Sequence, residues 1–214
     1  MSNNPQLLFV AGPNGAGKST FSKQLSGPNA IIFDVDKVIA RIEAQSPDMP
    51  KRQVYQAATQ EFFSQAKEAV KLKQHFTLET NFRDQQLMDV VAEFKRFGYT
   101  TNMIYLTLDN IEQSIDRVNE RVTNGGHYVD HKNIRQNYEQ GLIYLEQFAK
   151  RFDHLEIIDA SGPNRQLRSL LRVKQQKVGY LSDNLPKRVA KTVTAIADTL
   201  KPKNPLTKHR RPRH

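Results

Sequence analysis

Short apolar runs alternate along this chain with longer stretches whose apolar residues recur every three to four positions. Gln6–Ala11 (QLLFVA) is apolar and ends at a glycine, as a strand buried on both faces does. Ser19–Leu25 opens a helix, and Ala30–Phe33 (AIIF) reads as a second buried strand. From Asp36 the period lengthens, with Val38, Ile39 and Ile42 on one helical face, until Pro47 and Pro50 break it. Gln53–Leu72 has few breakers and is expected as a long helix. Phe76–Leu78, Thr101–Leu108 and Leu155–Ile158 are the next strands. Gln85–Phe97, stopped by Gly98, lies between the first two of these. Asn110–Thr123, stopped by Gly125-Gly126, and Lys132–Arg151 lie between the last two. Arg165–Lys174 is read as helical. Leu185–Leu200 is amphipathic, with Leu185, Val189, Val193, Ile196 and Leu200 at helical spacing and Pro186 in its first turn.

Strands that alternate with helices at crossover spacing predict an α/β fold, a parallel five-stranded sheet flanked by helices. Ligands of such folds gather at the carboxyl ends of the strands. The expected organisation is a main domain over residues 1–175, a helical extension over 176–200 and a basic tail over 201–214. The tail (KPKNPLTKHRRPRH) holds three prolines and six Lys/Arg and is expected to be disordered.

Composition narrows the picture in three ways. The absence of cysteine excludes disulfides and thiolate metal sites. The start MSNNPQLLFVAG lacks the basic region and long apolar run of a signal peptide, and no stretch is long and apolar enough for a membrane span, so the expectation is a cytoplasmic protein without membrane contact. Of the net charge of +10, residues 176–214 carry ten Lys/Arg against two Asp/Glu, leaving the rest of the chain near neutral. That basic end is either solvated surface or a contact for an acidic partner, lipid or nucleic acid.

The chemistry begins at Gly12-Pro13-Asn14-Gly15-Ala16-Gly17-Lys18-Ser19-Thr20, which satisfies G-x-x-x-x-G-K-[ST] between a strand and a helix. Glycines let successive N–H groups converge on phosphate oxygens, and the helix that follows points its positive end at the same anion. Lys18 reaches the β and γ phosphates, and Ser19 offers a hydroxyl to Mg²⁺. The cofactors implied are therefore ATP and Mg²⁺, and the fold is that of P-loop nucleoside triphosphate hydrolases and kinases.

Strand two ends in Asp34-Val35-Asp36 beside this loop. One carboxylate there is placed to order Mg²⁺ and the other to take a proton from an attacking hydroxyl; equally, one of them caps the next helix. Strand three ends in Glu79-Thr80-Asn81-Phe82-Arg83, where Glu79 and Thr80 are candidates for acceptor hydroxyls or metal-bound water and Arg83 for an anionic group. Residues 117–138 place Arg117, Arg121, His127, Lys132 and Arg135 around Gly125-Gly126. Such cations suit a lid that closes over the charge of phosphoryl transfer.

Together LLFVAGPNGAGKSTF, IIFDVD, TLETNFR, RVNERVTNGGHYVDHKNIRQNYEQGL and IIDASG resemble the zeta-toxin family of small P-loop kinases, over residues 6–162. The resemblance implies ATP-dependent phosphorylation of a hydroxyl, with a UDP-N-acetylated amino sugar as acceptor in characterised members, and an antitoxin protein as partner. It makes Asp36 the catalytic aspartate. Glu79 and Arg83 match the family's substrate segment, and Arg121 and Arg135 match two arginines facing the phosphates. Two other readings stand beside it. One is a metabolic or resistance kinase for another small hydroxylated acceptor, dinucleotides included, since shikimate and gluconate kinases also carry Asp-x-Asp after strand two. The other is a nucleotide switch or nucleic-acid-associated P-loop protein.

Overall fold

A computed structural model describes residues 4–126, 128–163 and 166–200 of the chain. Its elements run β1 (Gln6–Ala11), α1 (Lys18–Leu25), β2 (Ile31–Asp34), α2 (Val35–Gln45), α3 (Lys51–Leu72), β3 (Phe76–Thr80), α4 (Leu87–Arg96) and β4 (Thr100–Thr107). They continue with α5 (Ile111–Thr123), α6 (His131–Phe148), a 3-10 turn (Ala149–Arg151), β5 (His154–Asp159), β6 (Arg168–Lys174), β7 (Lys177–Leu181) and α7 (Lys187–Leu200).

The strands form one sheet in the order β2-β3-β1-β4-β5-β6-β7. The first five are parallel, and β6 and β7 are antiparallel. β1 sits in the middle of the parallel part, which is why its sequence is apolar on both faces: Leu7, Phe9, Val10 and Ala11 are all fully buried. One face packs through Phe9, Phe33 and Phe76, joined by Phe82 and Phe152 from the connections, against α3, α4, α6 and α7. The other packs through Leu106 and Ile158 against Ala16, Ile111 and Tyr138. A third small cluster, Ile42, Val54 and Ala58, joins α2 to α3.

Residues 168–174, expected as helical, are a strand instead, so the sheet has seven strands among the described residues where five were expected. Leu171 and Val173 pair with Ile157 and Leu155 of β5, and the turn that follows places Gln175 and Gln176 at φ +48° and +60°. Two successive left-handed residues make the tight hairpin turn that suits strand twist. Residues 176–200, expected as a helical extension, thus hold β7 ahead of α7. α7 buries Val189, Val193, Ile196 and Ala197 in the main core. The tail expected at Lys201–His214 lies outside the described residues. No helix among the described residues is long and apolar enough to cross a membrane.

Register brings the site together. Asp34 of β2 lies beside Glu79 of β3, and Glu79 beside Val10 of β1, two positions before the loop.

Candidate active site

The loop leaves β1 at Gly12 with φ +138°, where a Cβ would stand 2.3 Å from the Leu106 carbonyl oxygen of β4. At Gly15 (φ +76°) a Cβ would stand 2.8 Å from Cβ of Arg117 on α5. Only glycine tolerates both the left-handed backbone and the close approach. Side chains of α5 and α6 clamp the loop between them. Ser114 Oγ donates to the Asn14 carbonyl at 2.6 Å, and Asn137 Nδ2 donates to Asn14 Oδ1 at 2.7 Å. Asn14 is therefore buried, and its side chain serves the loop's own shape. Arg117 Nη1 approaches the Gly15 carbonyl at 3.5 Å. Ala16 packs in the cluster beneath, and Thr20, exposed on α1, donates its N–H to the Gly17 carbonyl at 3.0 Å.

Lys18 folds over its own loop. Its ammonium donates to the carbonyls of Gly12 (3.0 Å) and Pro13 (3.1 Å) and to Asn81 Oδ1 (2.9 Å). Burial draws its pKa below the usual lysine range, against the pull of Asp36 first and then of Asp34 and Glu79. Asn81 reaches Lys18 from an unusual turn. Phe82 lies at φ +55°, a conformation costly for a bulky side chain. Its buried ring packs on Phe9 and Phe152, and its N–H donates to Thr80 Oγ1 at 2.9 Å.

The acids lie on the other side of Lys18. Glu79, 4% exposed, accepts from Ser19 Oγ at 2.7 Å and in a short hydrogen bond from Ser22 Oγ. Burial raises its carboxyl above the usual range; the Ser22 hydroxyl counters this, and Asp34 adds to it. Asp34 caps α2, accepting from the Lys37 N–H at 3.2 Å, and pairs with the Lys37 ammonium at 2.6 Å. Burial works against its charge, but Lys37 holds its carboxyl below the usual range. Asp36, in the first turn of α2 and partly buried, makes no side-chain hydrogen bond among the described residues. It is the carboxylate that acts most strongly on Lys18.

Of the lid cations, Arg121 ends α5 with Gly126 folded onto its stem, the Gly126 N–H donating to the Arg121 carbonyl at 2.9 Å. Its charge is felt at both Lys18 and Lys37, so it faces the site. Arg135 is exposed on α6, and Arg83 is exposed after the Phe82 turn; neither makes a hydrogen bond or ion pair among the described residues. His127 lies outside the described residues.

Sequence reasoning missed Ser22, Lys37, Asn81, Ser114 and Asn137. Asn81 and Lys37 stand inside or beside the motifs already singled out, so proximity to them is the one signal available. Ser22 repeats three residues after Ser19, the helical spacing that aims both hydroxyls at Glu79. Nothing in the sequence pairs Asn137 with Asn14 across 123 residues.

The donor set fits a magnesium ion. No group of three His, Cys, Asp or Glu side chains forms a metal cage among the described residues. The oxygens at hand are the Ser19 hydroxyl and the Asp34 and Glu79 carboxylates. Hard oxygens in small number, completed by water and substrate phosphates, are what Mg²⁺ takes.

Comparison with known proteins bears on the family and the fold. The family model described as "Zeta toxin" matches residues 1–171. A chain of the PezAT chromosomal toxin–antitoxin system of Streptococcus pneumoniae superposes with a TM-score of 0.56 at 18% identity, covering 94% of this chain and 89% of that one. A chain of the AvrRxo1-ORF1:-ORF2 assembly with ATP superposes at 0.62 and 11% identity, covering 92% and 77%. An uncharacterised protein of Haemophilus influenzae is 24% identical over 135 residues, 62% of this chain and 92% of that protein.

Proposed function

The chain belongs to the zeta toxin family, and from that premise we propose that it transfers the γ-phosphate of ATP to a hydroxyl of a nucleotide sugar such as UDP-N-acetylglucosamine. A phosphotransferase on a P-loop kinase fold is the coarser statement, and it holds independently of the acceptor.

The observation that supports phosphoryl transfer is that Asp36, after β2, lies near enough to Lys18 of the loop for its charge to act on it more strongly than any other carboxylate's. The lysine that attracts the phosphates and the carboxylate free to take a proton share one electrostatic site. In the proposed reaction the acceptor oxygen bonds to the γ phosphorus, its proton passes to an Asp36 oxygen, and the bond from that phosphorus to the β–γ bridging oxygen breaks, leaving ADP. Lys18 releases its loop carbonyls to hold the phosphates in line. Mg²⁺, when bound, neutralises charge on the β and γ oxygens; Ser19, oriented by Glu79 and Ser22, with Asp34 beside it, would hold it. Arg121 supplies positive charge as the transition state forms, with Arg117 bracing the loop and Arg135 on the facing helix. Thr80, Arg83 and His127 are assigned to the acceptor side, with Glu79 now shared between acceptor and Ser19.

The likeness to a toxin–antitoxin protein supports an antitoxin as partner, one whose binding would silence this site. The reaction is tested by Asp36→Asn. Transfer to UDP-N-acetylglucosamine, read as ADP release, should fall at least about a hundredfold, the scale of a lost general base. ATP affinity should stay within about threefold, because Lys18 is held by Gly12, Pro13 and Asn81 and not by a hydrogen bond to Asp36. Transfer at the wild-type rate would remove Asp36 from the chemistry, and no transfer by the wild type to this acceptor would remove the nucleotide sugar.

A further inference from the structure

Lys37 is a lysine in the first turn of α2, the end of a helix dipole that repels cations. Its side chain is 63% exposed, so water is open to it. Its ammonium nevertheless turns back into the site. It pairs with Asp34 Oδ2 at 2.6 Å and donates to Ser19 Oγ at 3.3 Å, and the Glu79 carboxylate adds to the pull.

The geometry at Ser19 gives this meaning. A serine hydroxyl has one proton and two lone pairs. The proton is committed to Glu79 Oε2 at 2.7 Å, which leaves the lone pairs for a cation. Lys37 takes one of them. Its nitrogen thus contacts two of the oxygens assigned above to Mg²⁺, Ser19 Oγ and Asp34 Oδ2, and the repulsion of Arg121 acts on it there.

We propose that Lys37 is an internal stand-in for the divalent ion: it holds Ser19 and Asp34 together beside Glu79, and the metal enters with the nucleotide by displacing it. The inference rests on the nucleotide–metal reading of the loop. Its chemistry is an exchange of cations, with no bond made or broken. Lys37 is suited to leave because its stem is flexible and exposed, whereas a buried lysine would lock the site.

Competition of this kind is measured as a coupling between metal and nucleotide. The affinity of a fluorescent, non-hydrolysable ATP analogue is titrated with and without Mg²⁺ in the full chain, with no acceptor present. The ratio of the two dissociation constants is the readout. Removing the competing charge in Lys37→Met or Lys37→Gln should raise that ratio about fivefold, the scale of one half-exposed ion pair. Lys37→Arg keeps the charge and should stay within about twofold of wild type. A ratio that is unchanged or smaller in both neutral variants, at wild-type circular dichroism, overturns the exchange, as does an equal rise in Lys37→Arg. Because no transfer is measured, a protein that shows the coupling but phosphorylates nothing would sink the kinase reading and leave this one standing.

Discussion

Replacing Glu79 by glutamine keeps the side chain's shape and removes its charge. The carboxyl is buried, and burial raises its pKa above the usual range despite hydrogen bonds from Ser22 and Ser19. The folded protein thus holds this proton more tightly than the unfolded chain does. A carboxyl raised in this way adds stability while protonated, and the contribution is lost as pH rises through its folded value. Glutamine does not titrate. Without nucleotide or metal, Glu79→Gln should therefore be the more stable protein near neutral pH, and the gap should close as pH falls toward the usual carboxylate range. The size follows from opposing terms. Relief from burying a charge is largely offset as two charge-assisted hydrogen bonds worth about 1.5–3 kcal/mol each become neutral ones worth about 0.5–1.5. A net gain of about 1 kcal/mol or less would raise the melting temperature by about 2–4 °C at this chain length. Function should move the other way. A glutamine amide facing Ser19 donates to its lone pair, and loss of such an orienting partner weakens metal-dependent nucleotide binding about tenfold or more. Thermal melts followed by circular dichroism across pH, beside nucleotide titrations with Mg²⁺, read both effects. A variant that melts lower than wild type at neutral pH would refute the burial argument.

Three further outcomes follow from the same geometry. Gly15→Ala forces a Cβ onto Arg117 in a left-handed backbone; it should destabilise the fold by about 1–3 kcal/mol in denaturant melts and weaken ATP binding. Arg121→Ala should lower turnover about tenfold or more while changing ATP affinity less, because its charge acts on Lys18, where the transition-state charge develops; equal losses in single-turnover rate and affinity would make it a binding residue. Asp153 accepts from Lys95 Nζ (2.7 Å), Thr101 N–H (2.8 Å) and Thr101 Oγ1 (2.9 Å), and these hold its carboxyl below the usual range although burial works the other way. Asp153→Ala should cost about 1–2 kcal/mol at neutral pH, a figure reduced for its partial exposure, and the deficit should shrink as pH falls through the depressed folded value.

Much of the parallel sheet is legible from the chain, because a strand buried on both faces must be apolar throughout and cannot hide. The loop is equally plain, since its glycines answer a steric demand that no other residue meets. The β6–β7 hairpin is not legible: its two-residue turn is Gln175-Gln176, where the usual signal is Asn-Gly. A β-bulge at Leu170 of β6, opposite β5, buries Leu170 and Leu171 in succession and breaks the alternation that would mark a strand. In the site, Asp34 and Asp36 could be placed beside the loop from their position after β2. The contact of Asn81 with Lys18 could not, because it depends on the left-handed Phe82 that only tertiary packing enforces. Lys37 was hidden for a plainer reason, that a lysine beside an acid on a helix looks like ordinary surface.

The hydrogen bond from Asn137 to Asn14 has a consequence in time. The nucleotide loop is translated well before the side chain that clamps it, which is 123 residues later, and α7, whose core residues pack with the same helix layer, is later still. Contacts so distant in sequence form late in folding. A ribosome-bound nascent chain therefore carries the phosphate-binding sequence without the tightened loop until α6 emerges. Until α6 has been made the loop stays unclamped, so the site assembles well after its own motif has been translated.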